Sequence, residues 1–306
     1  MTFQQTLREA VSLTGIGLHS GTPVILTIKP ARANQGISFV RTDLEGTPHV
    51  VAHYKNVINT QLATTIGRGR ISVSTVEHLL AAFQGLAIDN ATVEVNGPEL
   101  PILDGSAAPF MEAILSAGIE SQRQIRPTLV LRRKVQIGSD DKWAIAEPSG
   151  QFEIHGSIEW KHPAIGYQEF HYQEDRTEFE ELAGARTFGF LRDVETMKRM
   201  GLARGGSLEN AVVLDDASVL NPGGLRYADE FARHKVLDAL GDFKLAGVAV
   251  RGFFRLHRAG HDLHSQLLAA IFKDADNYEI IEGSAEERRP RRMRAALASG
   301  FVAGIR

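Results

Sequence analysis

The sequence predicts an α+β chain of two domains with similar topology, and three features predict it. Residues 1–120 read as strands followed by two helices, and residues 128–283 read as strands, helix, strand, helix. Aligning His78 with His234 also aligns Gly85 with Gly241, and each of these helices leads to a valine-rich strand, VEV or VAV. Between the halves, residues 121–127 (SQRQIRP) are polar and end in proline, the composition of a linker. Residues 284–306 form a basic C-terminal tail.

Taken in order, residues 6–13 partly alternate polar and apolar side chains, and a glycine-rich loop at 14–21 leads to a clearer strand at 24–29. Residues 36–41 and 50–54 are further short strands, and 62–66 with 71–73 make a hairpin around Gly67-Arg68-Gly69-Arg70. Ser74-Thr75-Val76-Glu77 has the serine-x-x-glutamate form of a capping box, which predicts a helix starting there. A strand at 91–95 and a helix at 106–117, closed by Gly118, complete the first half. The second half opens with strands at 129–132, 135–137, 143–146, 152–160 and 167–172, then a short helix at 179–183. Strands at 186–191 and 211–214 flank a helix at 193–200, a βαβ insertion rich in Phe, Leu and Met. That content suits either the wall of an apolar pocket or ordinary core packing. Residues 229–242 follow as a helix, with Phe231, Val236, Leu237 and Leu240 at helical spacing and no glycine or proline before Gly241. A strand at 248–256 and a helix at 261–273 end the pattern.

The composition excludes several classes of function. With 306 residues, 43% of them hydrophobic and 23% charged, the chain is an ordinary globular one, and a formal charge of −3 gives no general affinity for nucleic acid. It contains no cysteine, so disulfides and thiolate ligands are excluded, and any metal must be held by imidazole and carboxylate. The first thirty residues lack a secretory pattern and no run is long enough to span a membrane, so the expected location is cytoplasmic. The tail carries Arg288, Arg289, Arg291, Arg292 and Arg294 ahead of a mostly apolar 295–305. It reads either as a solvated terminus or as a basic amphipathic helix resting on the inner-membrane surface. No obligate protein partner is implied.

His234 and Asp238 stand four residues apart, on one face of the predicted helix, and could close on one metal ion. With 37 acidic residues in the chain, that pair alone is a weak signal. His78, on the matching helix of the first half, would make two imidazoles and one carboxylate, a set that leaves a fourth position for water at a catalytic zinc. Glu77 beside it is open to two readings, a general base or the capping partner of Ser74. His261 begins a predicted helix, where the dipole lowers an imidazole's pKa; Asp242 could oppose this and keep it protonated as a general acid. His264, three residues on, is its rival. Lys235 could bind an anionic group or be a solvated lysine, and the Thr187 hydroxyl could hold an oxyanion or do nothing of the kind. Asp104-Gly105-Ser106 reads as a turn and helix cap, while Gly205-Gly206 and Gly223-Gly224 lack the spacing of a phosphate-binding loop.

Several dispersed motifs in order resemble the zinc-dependent UDP-3-O-acyl-N-acetylglucosamine deacetylases, which act early in lipid A synthesis. They are TGIGLHSG at 14–21, STVEHLLAA at 74–82, LPILDGSAAPF at 100–110, ARTFGF at 185–190, FARHKVLDALGD at 231–242 and Gly260-His261. The resemblance implies Zn2+ on His78, His234 and Asp238, Glu77 as general base, and His261 as general acid supported by Asp242. It places Thr187 at the oxyanion, with Lys235, Phe188 and His19 as substrate-binding residues. It also implies helices packed between outer β-sheets, and an insertion that helps form a tunnel for the substrate's acyl chain. The expected reaction removes the acetyl group from an acylated UDP-sugar. A zinc amidase of another acylated amine, or a non-catalytic metal-stabilised interaction protein, are the alternatives. Two positions depart from the family's pattern: His264 stands where it usually has asparagine, and Ala63 where it often has cysteine.

Overall fold

The structure, a computed structural model, describes residues 3–282. The N-terminal sheet is built on alternation. In the strand Pro23–Pro30, Val24, Leu26 and Ile28 turn inward and Ile25 turns outward, so one face is core and the other solvent. Pro23–Pro30 pairs antiparallel with Val11–Ile16 on one edge and with Ala91–Val95 on the other. Ala91–Val95 lies parallel to Ile37–Arg41, which pairs antiparallel with His49–Val51.

The second sheet repeats this order of pairings. Val135–Ser139 and Lys142–Glu147 form an antiparallel hairpin, and Lys142–Glu147 pairs antiparallel with Ala249–His257. Ala249–His257 runs parallel to Phe152–Trp160, itself antiparallel to Gly166–Gln173. A parallel pair needs a long crossover, and in each sheet that crossover contains one of the histidine-bearing helices named in the sequence. The second sheet adds Pro127–Leu131 and Tyr278–Glu282.

Six α-helices are present among the described residues: α1 Glu77–Gly85, α2 Ala108–Ala117, α3 Glu180–Ala183, α4 Leu191–Arg199, α5 Glu230–Lys244 and α6 His261–Lys273. Every residue of α1 is buried, and α5 is buried on nearly all sides, so these two are core helices rather than surface ones. They pack on each other; α2 joins α1 to Val11–Ile16, and α5 and α6 lie against the strands of the second sheet. The α1–α5 crossing is close enough that a Cβ on Gly241 would lie 2.0 Å from the Glu77 carbonyl oxygen. Gly241 is therefore a crossing point, and α5 runs two residues beyond the expected end at Asp242, to Lys244.

Two other expectations need correction, the capping box and the start of α2. The capping box does not form: Val76 occupies the N-cap of α1 without a side-chain bond, and the Ser74 hydroxyl meets Thr65 Oγ1 at 2.9 Å. Most of the polar segment 121–127 is itself a paired strand, since Ile119–Ile125 runs antiparallel to Phe3–Leu7. Helix α2 starts at Ala108 with Ala107 as an N-cap that makes no side-chain bond; Asp104 Oδ1 takes the Ser106 N–H and Ser106 Oγ takes the Ala108 N–H, so these residues form the expected turn ahead of the helix. The βαβ insertion is present, with Phe188–Phe190 parallel to Val212–Leu214 on either side of α4. It has its own small core, in which Val212 and Leu214 meet Ile158 and Phe231. The basic tail lies outside the described residues. No helix among the described residues is long and apolar enough to cross a membrane.

Candidate metal centre

Helix α5 presents His234 and Asp238 one turn apart, and α1 brings His78 to them across the crossing at Gly241. His234 Nε2 lies 3.3 Å and His78 Nε2 lies 3.6 Å from the same oxygen, Asp238 Oδ1. The imidazoles meet edge to face with centroids 5.1 Å apart. The three donor atoms are all within 4.8 Å of one another, and all three residues are buried.

The surrounding bonds aim these atoms. His234 Nδ1 donates to the Ala185 carbonyl at 3.1 Å, which leaves Nε2 as the lone pair facing the cluster. Lys235 Nζ donates to Asp238 Oδ2 at 2.7 Å and leaves Oδ1 turned to the histidines. Burial drives His234 down to about 3 despite the opposing pull of Asp238, so the imidazole is neutral. Burial works against the charge on Asp238 as well, but His234 and Lys235 outweigh it and hold the carboxyl well below its usual range. Neutral imidazoles and an ionised carboxylate converging in a buried space form a donor set that fits a divalent cation.

Glu77 precedes His78, and its Oε2 accepts the Thr64 backbone N–H at 3.0 Å. Burial pushes its carboxyl upward, with His261 and His78 pulling the other way. Such a carboxylate readily takes a proton.

One turn beyond Asp238, Asp242 gathers a second cluster. Its Oδ2 accepts from His261 Nδ1 at 2.7 Å and from His264 Nδ1 at 2.8 Å, while Oδ1 accepts the Thr64 hydroxyl at 2.6 Å. Burial alone would lower His261, but the Asp242 carboxylate overrides it and lifts the imidazole to about 9. Burial lowers His264 in spite of the same carboxylate, and His264 Nε2 has no hydrogen-bond partner. The two histidines also differ in access, since the His261 side chain is 10% exposed and that of His264 only 1%.

Backbone strain gathers at the approaches to these groups. Leu62, Thr75 and Arg258 adopt left-handed φ of 62°, 58° and 51°, two or three residues ahead of Thr64, Glu77 and His261 respectively.

The remaining expected residues are placed unevenly. Thr187 is half-buried two residues after Ala185, with its N–H bonded to the Gly105 carbonyl at 2.8 Å. Lys235 Nζ sits 5.4 Å from the Phe188 ring centroid, and Phe188 lies edge-on to His234 with centroids 6.3 Å apart. His19 stands apart, at the seam between the first loop and the insertion. Its N–H donates to Glu99 Oε1 at 2.7 Å, its carbonyl accepts from Arg204, and its Nδ1 accepts the Ala203 N–H at 3.4 Å. Thr64, Ala185 and Glu99 were not picked out by sequence. Thr64 adjoins Ala63, and a role played through a backbone N–H or carbonyl leaves no residue-type signal.

A sequence model described as UDP-3-O-acyl N-acetylglycosamine deacetylase matches residues 4–273. Proteins named UDP-3-O-acyl-N-acetylglucosamine deacetylase are similar along nearly their whole length. The one from Myxococcus xanthus is 49% identical over 93% of this chain and 91% of its own. That from Geobacter sp. strain M21 is 48% identical over 92% and 93%, and that from Shewanella loihica is 45% identical over 99% of both.

Proposed function

The chain belongs to the UDP-3-O-acyl N-acetylglycosamine deacetylase family, and on that premise we propose how its own residues carry the reaction. The protein is a hydrolase that removes the acetyl group from UDP-3-O-acyl-N-acetylglucosamine in lipid A biosynthesis. The observation that carries the residue assignment is the convergence of His78, His234 and Asp238, with Glu77 adjoining them and a proton-holding His261 one turn further along α5. His78, His234 and Asp238 would hold Zn2+, a borderline cation suited to two imidazoles and a carboxylate. When bound, zinc supplies a Lewis acid for the amide carbonyl and makes water acidic enough to be deprotonated near neutral pH.

Glu77, fixed by the Thr64 N–H, takes the proton from the attacking water. His261 gives its proton to the departing amine, so that acetate and the free amine separate, and Asp242 keeps the imidazole charged until then. The Thr187 hydroxyl donates to the developing oxyanion. Lys235 and Phe188, stacked at the edge of the cluster, together with His19 at the insertion seam, bind the acylated UDP-sugar. The repeated order of strand pairings supports reading residues 1–120 and 128–283 as two domains of like plan, with 121–127 joining them. A cytoplasmic location, and contact of the basic tail with the inner-membrane surface, belong to the same proposal; vesicle binding unchanged on removal of residues 284–306 would count against the tail's part.

Glu77→Ala tests the assignment. The variant is expected to fold and keep its zinc while turnover falls by about 10²–10⁴-fold, the usual scale for a general base. Near-normal acetate release from a zinc-loaded Glu77→Ala enzyme would refute it.

A further inference from the structure

Asp242 receives three donors on two oxygens. Oδ1 takes the Thr64 hydroxyl, while Oδ2 is divided between two imidazole N–H groups. One of those imidazoles, His264, has no part in the reaction as assigned. It is on α6, three residues after His261 and on the same side of the helix, with ring planes 87° apart and centroids at 6.2 Å. It is fully buried against Phe243, and its Nε2 goes without a partner. Leucine would fill that space with no buried polar atom left unpaired, so packing does not account for an imidazole here. What the imidazole adds is the Nδ1–H bond to Asp242.

We propose that His264 is a positioning residue for the deacetylation: by sharing Asp242 Oδ2 with His261, it fixes the carboxylate's rotamer and limits how much of its charge the acid imidazole commands. The inference rests on His261 being the acid. A second N–H on the same oxygen disperses its negative charge, so His261 is held less tightly to its proton than it would be with the oxygen to itself. An acid bound too strongly to its proton is a poor donor at neutral pH. The other ionisable groups facing His261 are Glu77 from α1 and Asp238 from α5, and both strengthen its hold on the proton. His264 on α6 works through geometry instead, since its Nδ1–H at 2.8 Å occupies the same Asp242 oxygen that His261 uses.

The test compares His264→Leu, which removes the donor, with His264→Asn, which keeps a neutral N–H, in the full-length zinc-loaded enzyme. In the leucine variant the basic limb of the kcat/KM profile should rise by about one pH unit and kcat should fall about tenfold, with KM and zinc content unchanged. The asparagine variant should keep the native limb and most of kcat. If leucine prevents folding, His264→Met removes the same donor with a more pliant side chain. A limb that stays or falls without the donor, or an asparagine variant as impaired as leucine, overturns the proposal. His261→Ala separates the two levels. Turnover that survives in it defeats the acid assignment itself, whereas turnover lost there with an unmoved limb in His264→Leu defeats only the positioning role.

Discussion

Two buried clusters one turn apart on α5, His78–His234–Asp238 and Asp242–His261–His264, are built from the same residue types and put them to different use. In the first, Nε2 atoms from both histidines converge on one carboxylate oxygen, His234 Nδ1–H is committed to a backbone carbonyl, and His234 is neutral. In the second, both histidines turn Nδ1–H into the carboxylate, and His261 is charged. The first offers lone pairs and suits a cation; the second holds protons and suits proton transfer. Two imidazoles and a carboxylate do not by themselves define a metal site. Which ring nitrogen is committed to a hydrogen bond, as His234 Nδ1 is to a carbonyl and His261 Nδ1 to a carboxylate, decides the matter.

The largest effect that would sharpen this contrast is expected from His234→Ala. It removes a donor from the first cluster only, so zinc binding should be lost and kcat/KM should fall by about 10³ or more, measured at matched free zinc. Asp242→Asn addresses the second cluster: zinc should stay, turnover should fall about 100-fold, and the basic limb should move to lower pH because the strongest opposition to the burial of His261 is removed. The same pair gives a stability signature. Since His261 is raised from 6.5 to about 9, its stabilising contribution is complete below about pH 6.5 and fades as pH rises through about 9. Thermal unfolding of Asp242→Asn followed across that window should lack this decline. Gly241→Ala tests the crossing that delivers Glu77 and His78 to both clusters. Its Cβ would collide with the Glu77 carbonyl, so denaturant unfolding should show a loss of about 1–3 kcal/mol. The smallest effect is expected from Thr64→Val, which keeps the N–H on Glu77 and removes the hydroxyl from Asp242. A several-fold fall in kcat, corresponding to about 1 kcal/mol, should be restored by Thr64→Ser.

How legible these features were in the sequence depended on how local they are. Helix α5 and its His234–Asp238 pair follow from spacing alone, and the matching helix supplied His78. The parallel strand pairs, and the antiparallel pairing of Phe3–Leu7 with Ile119–Ile125, join residues distant in the chain, and no local pattern announces them. A polar strand with much of its surface exposed looks like a linker. Ser74 and Glu77 matched a capping box because the pattern ignores competing partners, and Thr65 and Thr64 took those groups. Nothing in the sequence marked Gly241 as a crossing point, because a glycine that admits a neighbouring backbone looks the same in sequence as one that stops a helix. The distinction between His261 and His264 depended on burial and on a shared oxygen, both tertiary properties.

The most direct test of the separation between the clusters is zinc stoichiometry by elemental analysis of Asp238→Ala and Asp242→Ala, each dialysed beside the native protein at one free zinc concentration. About one zinc per chain is expected in the native protein and in Asp242→Ala, and close to none in Asp238→Ala. Zinc lost from Asp242→Ala, or retained in full by Asp238→Ala, would contradict that separation.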